Sequence, residues 1–223
     1  MTRAERAAAL LAGVAMALVL IGAPVQLMLL PAYTSSLVVR TGAPELTGLE
    51  PDQVSELAEA VRAYVAGADG AWLPTILPDG SAGFDGKAVS HLDDVRAVLA
   101  GARVATLAAL AFAAAWVAWM CRARRREALS RSFAAGAWLA GGAVVLAALA
   151  GVVDFATLFA GFHGLFFEPG TWQFPTDALL IQLFPEAFWA VSAAVWAGLA
   201  LAGAALLGVC ARLARSRPRR AGA

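Results

Sequence analysis

Charge is what this chain has least of. Of 223 residues only 15% are Asp, Glu, Lys or Arg, whereas 61% are hydrophobic and the mean hydropathy is +0.71. A soluble domain carries about 25% charged residues. So few charges cannot cover the surface of a soluble globule. The same shortage excludes a disordered chain and a nucleic-acid-binding module, since both need polar surface in excess. What remains is an integral membrane protein. Asn is absent, and Lys87 is the single Lys beside sixteen Arg. With the abundant Ala, that composition suggests a GC-rich bacterial genome. Cysteine is scarce too, with only Cys121 and Cys210. No phosphate loop, Ser-centred elbow or internal repeat is present.

Four apolar segments are long enough to span a bilayer, which takes about 20 residues of helix. They run over about 7–30, 98–120, 133–153 and 187–209. Pro24 interrupts the first, and Arg103 lies inside the second. The first segment is long for a signal-peptide core and no small-x-small cleavage site follows it, so it reads as an uncleaved signal anchor. The predicted fold is an all-α membrane protein with four transmembrane helices, forming one membrane domain over 1–223.

The near-neutral net charge of +1 conceals a segregation. Arg3 and Arg6, five arginines from Arg122 to Arg131, and five from Arg212 to Arg220 stand against Glu5 and Glu127, a net of +10. In a four-span protein these segments share one side, and the excess of Arg predicts that it is cytoplasmic, with both termini inside. The other side holds 31–97 and 154–186 and is net −10, with fourteen carboxylates. Both cysteines fall at cytoplasmic ends of spans. A reducing compartment disfavours a disulfide there, and small apolar filling is the simpler role.

Residues 31–97 are expected to form a small extracytoplasmic cap. Pro51, flanked by Glu50 and Asp52, suits a first helical turn. Val54, Leu57, Val61, Tyr64 and Val65 follow on one helical face, and Gly67 and Gly70 end it. From Trp72 to Phe84 the chain reads as extended, with a short hairpin turning at Asp79-Gly80. A new helix is expected at Ser90, capped by Ser90 with Asp93 at the third position. No breaker separates it from the second span.

Between Phe133 and Phe167 only Asp154 and His163 interrupt an apolar run of 35 residues. At 1.5 Å per residue that is about 52 Å of helix, against a hydrocarbon core of about 30 Å. One straight helix cannot be the answer. Gly161 and Gly164, flanking His163, offer a break, and Glu168-Pro-Gly170 forces a turn. Residues 154–186 therefore read as an interfacial or re-entrant segment before the last span, rich in Phe and Trp as headgroup-level segments are. Irregular backbone at that depth must be buried in protein or line a wet cavity, so an outward-facing cavity is implied.

The two histidines, His91 and His163, are 72 residues apart and separated by a hairpin of two spans. The topology returns both to the same face of the membrane at similar depth. Two readings stand open: a reactive pair able to take a proton or attack a carbonyl, or two separate polar caps. A metal or haem site on the same pair is the weaker option, because no His-x-x-x-His or Cys pair accompanies it. No metal site is expected. Asp94, three residues after His91, shares its helix face and would orient its ring. Arg103 is placed to contact a lipid head group or substrate carbonyl, or to pair with Asp154. Trp172, with Phe166 and Phe167, would form an aromatic lip gripping acyl chains.

Two stretches carry a resemblance. Phe-His-Gly-Leu-Phe-Phe-Glu-Pro-Gly-Thr-Trp-Gln-Phe (162–174) and Asp-Ala-Leu-Leu-Ile-Gln-Leu-Phe-Pro-Glu-Ala-Phe-Trp (177–189), with Ser-His-Leu-Asp-Asp-Val (90–95) before the second span, resemble the markers of a bacterial family of small four-span membrane proteins. That family includes the lipoprotein intramolecular transacylases. The resemblance implies movement of the sn-2 acyl chain of a diacylglyceryl-Cys lipoprotein onto the α-amine of that Cys, giving a lyso-form lipoprotein. It implies a bacterial cytoplasmic-membrane location and an extracytoplasmic site. It also implies His91 and His163 as catalytic residues, no cofactor, and a diacylated lipoprotein and membrane lipids as partners. The rival to an enzyme is a membrane binding or assembly protein whose acidic cap recruits a partner.

Overall fold

A computed structural model describes residues 2–77 and 80–215. The described residues are almost wholly helical: α1 (Arg3–Met28), α2 (Pro31–Arg40), α3 (Ala43–Thr47), α4 (Pro51–Val65), α5 (Gly86–Arg122), α6 (Arg126–Val153), α7 (Phe155–Phe166), α8 (Leu179–Leu183) and α9 (Glu186–Arg215). Four of them, α1, α5, α6 and α9, are long and apolar enough to cross a membrane, matching the four apolar segments. Pro24 lies inside α1 without ending it. Large apolar side chains are fully open on these helices, including Trp138 at 81% exposure and Val152 at 86%. Water does not tolerate such a surface at this density. Lipid does, and the chain is a multi-pass membrane protein.

The chain divides into two compact units. The first comprises 1–24, 104–149 and 196–223, of which 1 and 216–223 lie outside the described residues, Arg217, Arg219 and Arg220 among them. Its core joins Ala9, Ala12, Met16, Ala113, Trp116 and Leu129. Small residues let its helix backbones close up. A Cβ built on Gly136 would stand 2.9 Å from the Met16 Cβ and 3.1 Å from the Gly13 carbonyl oxygen. Neither neighbour is the free end of a flexible chain. Gly136→Val is expected to cost about 1–3 kcal/mol through overpacking, read as a lower thermal unfolding midpoint in detergent. An unchanged midpoint would mean that α1 and α6 do not pack this closely. Polar anchors complete the unit. Trp116 donates to Ser132 Oγ at 2.9 Å, and Trp196 donates to the Ile21 carbonyl at 2.9 Å. Arg215 donates to Ser130 Oγ at 2.7 Å, and Arg125 pairs with Glu5 at 3.0 Å. Cys121 and Cys210 are both free thiols.

The second unit comprises 25–103 and 150–195. Its core gathers Val38, Val54, Ala58, Phe84, Leu183 and Phe188 from α2, α4, the approach to α5, α8 and α9. The face predicted for α4 is the one buried: Val54, Leu57, Val61 and Val65 are all below 9% exposure. Pro51 opens α4, and Gln53 Oε1 accepts from the Glu50 N–H. Arg62 pairs with Glu59 and donates to the Leu29 carbonyl at 3.1 Å. It thereby ties α4 to the chain just after α1. The Glu59 partner raises the Arg62 pKa. Gly67 and Gly70 both take positive φ after α4. The described residues between α4 and α5 hold one antiparallel bridge, Ile76 to Ala82, and no named strand. Pro78 and Asp79, hence half of the Asp79-Gly80 turn, lie outside the described residues.

Three local expectations are corrected. Helix α5 begins at Gly86, not Ser90, because Asp85 Oδ1 accepts from the Ala88 N–H at 2.7 Å and caps it, five residues before the expected cap. Ser90 and His91 thus lie in the second turn, and Asp93 accepts from the Tyr64 hydroxyl at 2.5 Å instead of capping. The long apolar run breaks at Asp154, not at Gly161 or Gly164. Asp154 has an extended backbone, and its carboxylate accepts from the Thr157 N–H at 2.9 Å and the Thr157 hydroxyl at 2.6 Å. That chemistry ends α6 and starts α7, and it holds the Asp154 pKa below the usual range. Glycine has no comparable means of satisfying the orphan N–H groups of a helix start. The expected Arg103–Asp154 pair does not form among the described residues: Asp154 is engaged with Thr157.

Candidate functional site

His91 and His163 both belong to the second unit. Helix α5 carries His91, which is 7% exposed. Helix α7 carries His163, which is half-buried. Their ring centroids are 6.3 Å apart, with the planes 29° from parallel. Two helices distant in sequence thus bring together the only two imidazoles of the chain.

The walls are aromatic. Phe167, the first residue after α7, meets His91 edge-on at 5.0 Å and lies 5.6 Å from His163. Trp172 lies over His163 at 4.8 Å. Phe174 lies 5.7 Å from His91. One turn before His163, Phe159 packs on its ring at 4.1 Å. Gly170, at φ 93, makes the turn that brings Trp172 and Phe174 back over the pair. A left-handed conformation of this kind is open to glycine without a Cβ penalty.

Two hydrogen-bonding observations separate the histidines. His163 Nδ1 lies 2.9 Å from the Phe159 carbonyl. A carbonyl only accepts, so Nδ1 carries the proton and Nε2 of the neutral ring carries the lone pair. Burial pushes the His163 pKa below its ordinary value of 6.5, against the smaller opposing effect of that carbonyl. His91 Nδ1 is buried without a hydrogen-bond partner among the described residues. A buried polar atom left unsatisfied costs about 1–3 kcal/mol. Functional sites are where such costs are tolerated.

The remaining predicted residues divide. Trp172 and Phe167 join the pair. Phe166 is 50% exposed and reaches the cluster only through Phe162 at 5.1 Å and Phe167 at 6.4 Å. Asp94, expected to orient His91, is exposed, and no hydrogen bond joins the two among the described residues. Arg103 is exposed and lies twelve residues after His91 on α5, about 18 Å along the axis. It is not part of the cluster. No group of three His, Cys, Asp or Glu close enough to hold a metal occurs among the described residues. Three contributors were not singled out from the sequence: Phe159, Phe174 and Lys87. Lys87 lies one turn before His91, which an i, i+4 search around each histidine would have found.

The family model for lipoprotein intramolecular transacylases, Lit, matches residues 10–189. The chain belongs to that family. The matched span contains both histidines and the whole aromatic cluster. Among solved structures, the membrane-integral lipoprotein intramolecular transacylase Lit of Bacillus cereus superposes with a TM-score of 0.81 at 18% identity. The match covers 96% of this chain and 97% of that one. A variant of the Bacillus cereus protein with one histidine changed to arginine superposes with a TM-score of 0.73, covering 94% of this chain and 91% of that one. At that identity the likeness shows a shared fold. No curated protein sequence matches the chain.

Proposed function

We propose that this family member is itself an intramolecular transacylase of the bacterial cytoplasmic membrane, with His91 and His163 as its catalytic pair. The single observation that supports it most is the meeting of the chain's only two imidazoles, at 6.3 Å, inside an aromatic cluster. The substrate is a lipoprotein whose N-terminal Cys bears a diacylglyceryl thioether and a free α-amine. The excess of Arg on the opposite loops supports placing the site on the extracytoplasmic face.

The reaction needs little from the protein. Amine and ester sit on one molecule, so attack is effectively unimolecular once both are held together. The neutral α-amine attacks the sn-2 ester carbonyl. His163 Nε2 takes the proton that the nitrogen loses as the C–N bond forms. His91, its ring centroid 6.3 Å from that of His163, polarises the carbonyl through a ring N–H, and His163 returns the proton to the glycerol oxygen as the C–O bond breaks. An ester becomes an amide and a free hydroxyl appears at sn-2. No oxidant, acyl carrier or second substrate is consumed. The aromatic walls supply a dry, acyl-compatible surround in which hydrogen bonds to developing charge are strengthened.

Expression in bacteria whose lipoproteins keep a free α-amine tests the reading directly. N-terminal lipopeptides should shift to the N-acyl lyso form by mass spectrometry. Persistence of unmodified S-diacylglyceryl peptides would overturn it.

An imidazole must be uncharged to act as a base. Because burial lowers the His163 pKa, its imidazole should titrate below 6.5 and stay neutral at pH 7. Carbon-13-labelled histidine gives two signals in this chain, and His91→Gln assigns them. A His163 midpoint above 6.5 would contradict the burial argument.

A further inference from the structure

We propose that Lys87 is a positioning residue that latches the 167–178 loop onto α5 and, through Phe174, holds the His91 ring; the assignment rests on the transacylase reading above.

The geometry is a short chain of contacts. Lys87 stands four residues before His91, so both lie on one face of α5. Its ammonium donates to the Gln173 carbonyl at 2.5 Å. The same nitrogen sits 4.9 Å from the centroid of the Phe174 ring. Phe174 in turn packs on His91 at 5.7 Å. The loop is also folded onto itself. Gln173 Oε1 accepts from the Gly170 N–H at 2.8 Å, and the Thr171 hydroxyl donates to the Glu168 carbonyl at 2.9 Å. It is therefore a preformed turn, and Lys87 joins that turn to the helix carrying His91.

His91 needs such a device. Enzymes usually orient a reactive imidazole with a carboxylate or carbonyl on its second nitrogen. His91 Nδ1 has no partner of that kind, and Asp94 is exposed. Its ring direction is left to the walls, Phe167 on one side and Phe174 on another. Phe167 is fixed by its position at the end of α7. Phe174 lies in irregular backbone, partly buried against the core of the unit, and a charged hydrogen bond and a cation–π contact add to what that packing fixes.

The test uses the full chain in detergent, comparing wild type, Lys87→Met and Lys87→Arg. Site-resolved mass spectrometry follows carbethoxylation of His91 by diethylpyrocarbonate, a readout that needs no turnover. In parallel, kcat and KM are measured on a synthetic S-diacylglyceryl lipopeptide. Loss of the two contacts predicts that Lys87→Met raises the His91 modification rate about 5–10-fold and lowers kcat by a similar factor, with KM nearly unchanged. Lys87→Arg keeps charge and donors and should recover most of both. An unchanged His91 modification rate in Lys87→Met, or Lys87→Arg as impaired as Lys87→Met, would overturn the latch. Faster modification with unchanged kcat would overturn the positioning role. If wild type itself fails to turn over, the transacylase reading falls, and the modification rates alone decide whether the latch exists.

Discussion

His163→Ala is expected to lower N-acyl transfer by about 10²–10⁴-fold, the usual contribution of a general base. The side chain is half-buried, its Nδ1 is committed to the Phe159 carbonyl, and Nε2 is the one basic nitrogen left to face substrate. His163→Gln keeps the bulk between Phe159 and Trp172, so it separates lost chemistry from lost packing. Both variants should fall together in kcat, and His163→Gln should keep a wild-type unfolding midpoint. Turnover of lipopeptide at the wild-type rate by either one would remove His163 from the reaction.

His91→Ala is expected to be nearly as damaging, and the double variant with His163→Ala no worse than the more impaired single. Residues acting as one unit are non-additive, because removing either disables the step both serve. His91 is also 7% exposed and packed by Phe167 and Phe174, so truncation leaves a hole as well. His91→Gln therefore belongs beside His91→Ala. Losses that multiply in the double variant would mean that the two imidazoles work independently. Tolerance of both changes, with sensitivity confined to surface changes in 31–97, is the signature of the rival binding or assembly role.

Much of the fold was legible because a membrane span is a local property. Twenty apolar residues need no knowledge of their neighbours to be a helix in lipid, since the backbone has no other way to satisfy itself there. The face of α4 was legible for a similar reason: Val54, Leu57, Val61 and Val65 repeat at the helical period. Helix boundaries were less so. Ser90 was the expected cap of α5 and Gly161 and Gly164 the expected break of the apolar run, yet Asp85 caps α5 and Asp154 starts α7. Local chemistry ranks such candidates poorly, and a carboxylate able to accept from an N–H group prevailed in both places.

The candidate site was legible in part. Two histidines in 223 residues, with aromatic stretches around one of them, were enough to single out the pair and Trp172. The companions Phe159 and Phe174 were not separable from the many other aromatics, and nothing in the sequence ties Lys87, the single Lys, to the 167–178 loop. Asp94 shares a helix face with His91 and still makes no hydrogen bond to it, because spacing along a helix does not say which way a side chain turns.

From sequence alone came the membrane environment, the four helices able to cross it and the family resemblance, all set by composition, run length and motif. Tertiary structure alone decided that α5 and α7 bring two imidazoles to 6.3 Å, that aromatic rings rather than a carboxylate surround His91, and that Lys87 reaches the Gln173 carbonyl. The physical reason is range. Helix formation in lipid is enforced residue by residue, whereas contacts between residues 72 positions apart exist only once packing has chosen which faces meet.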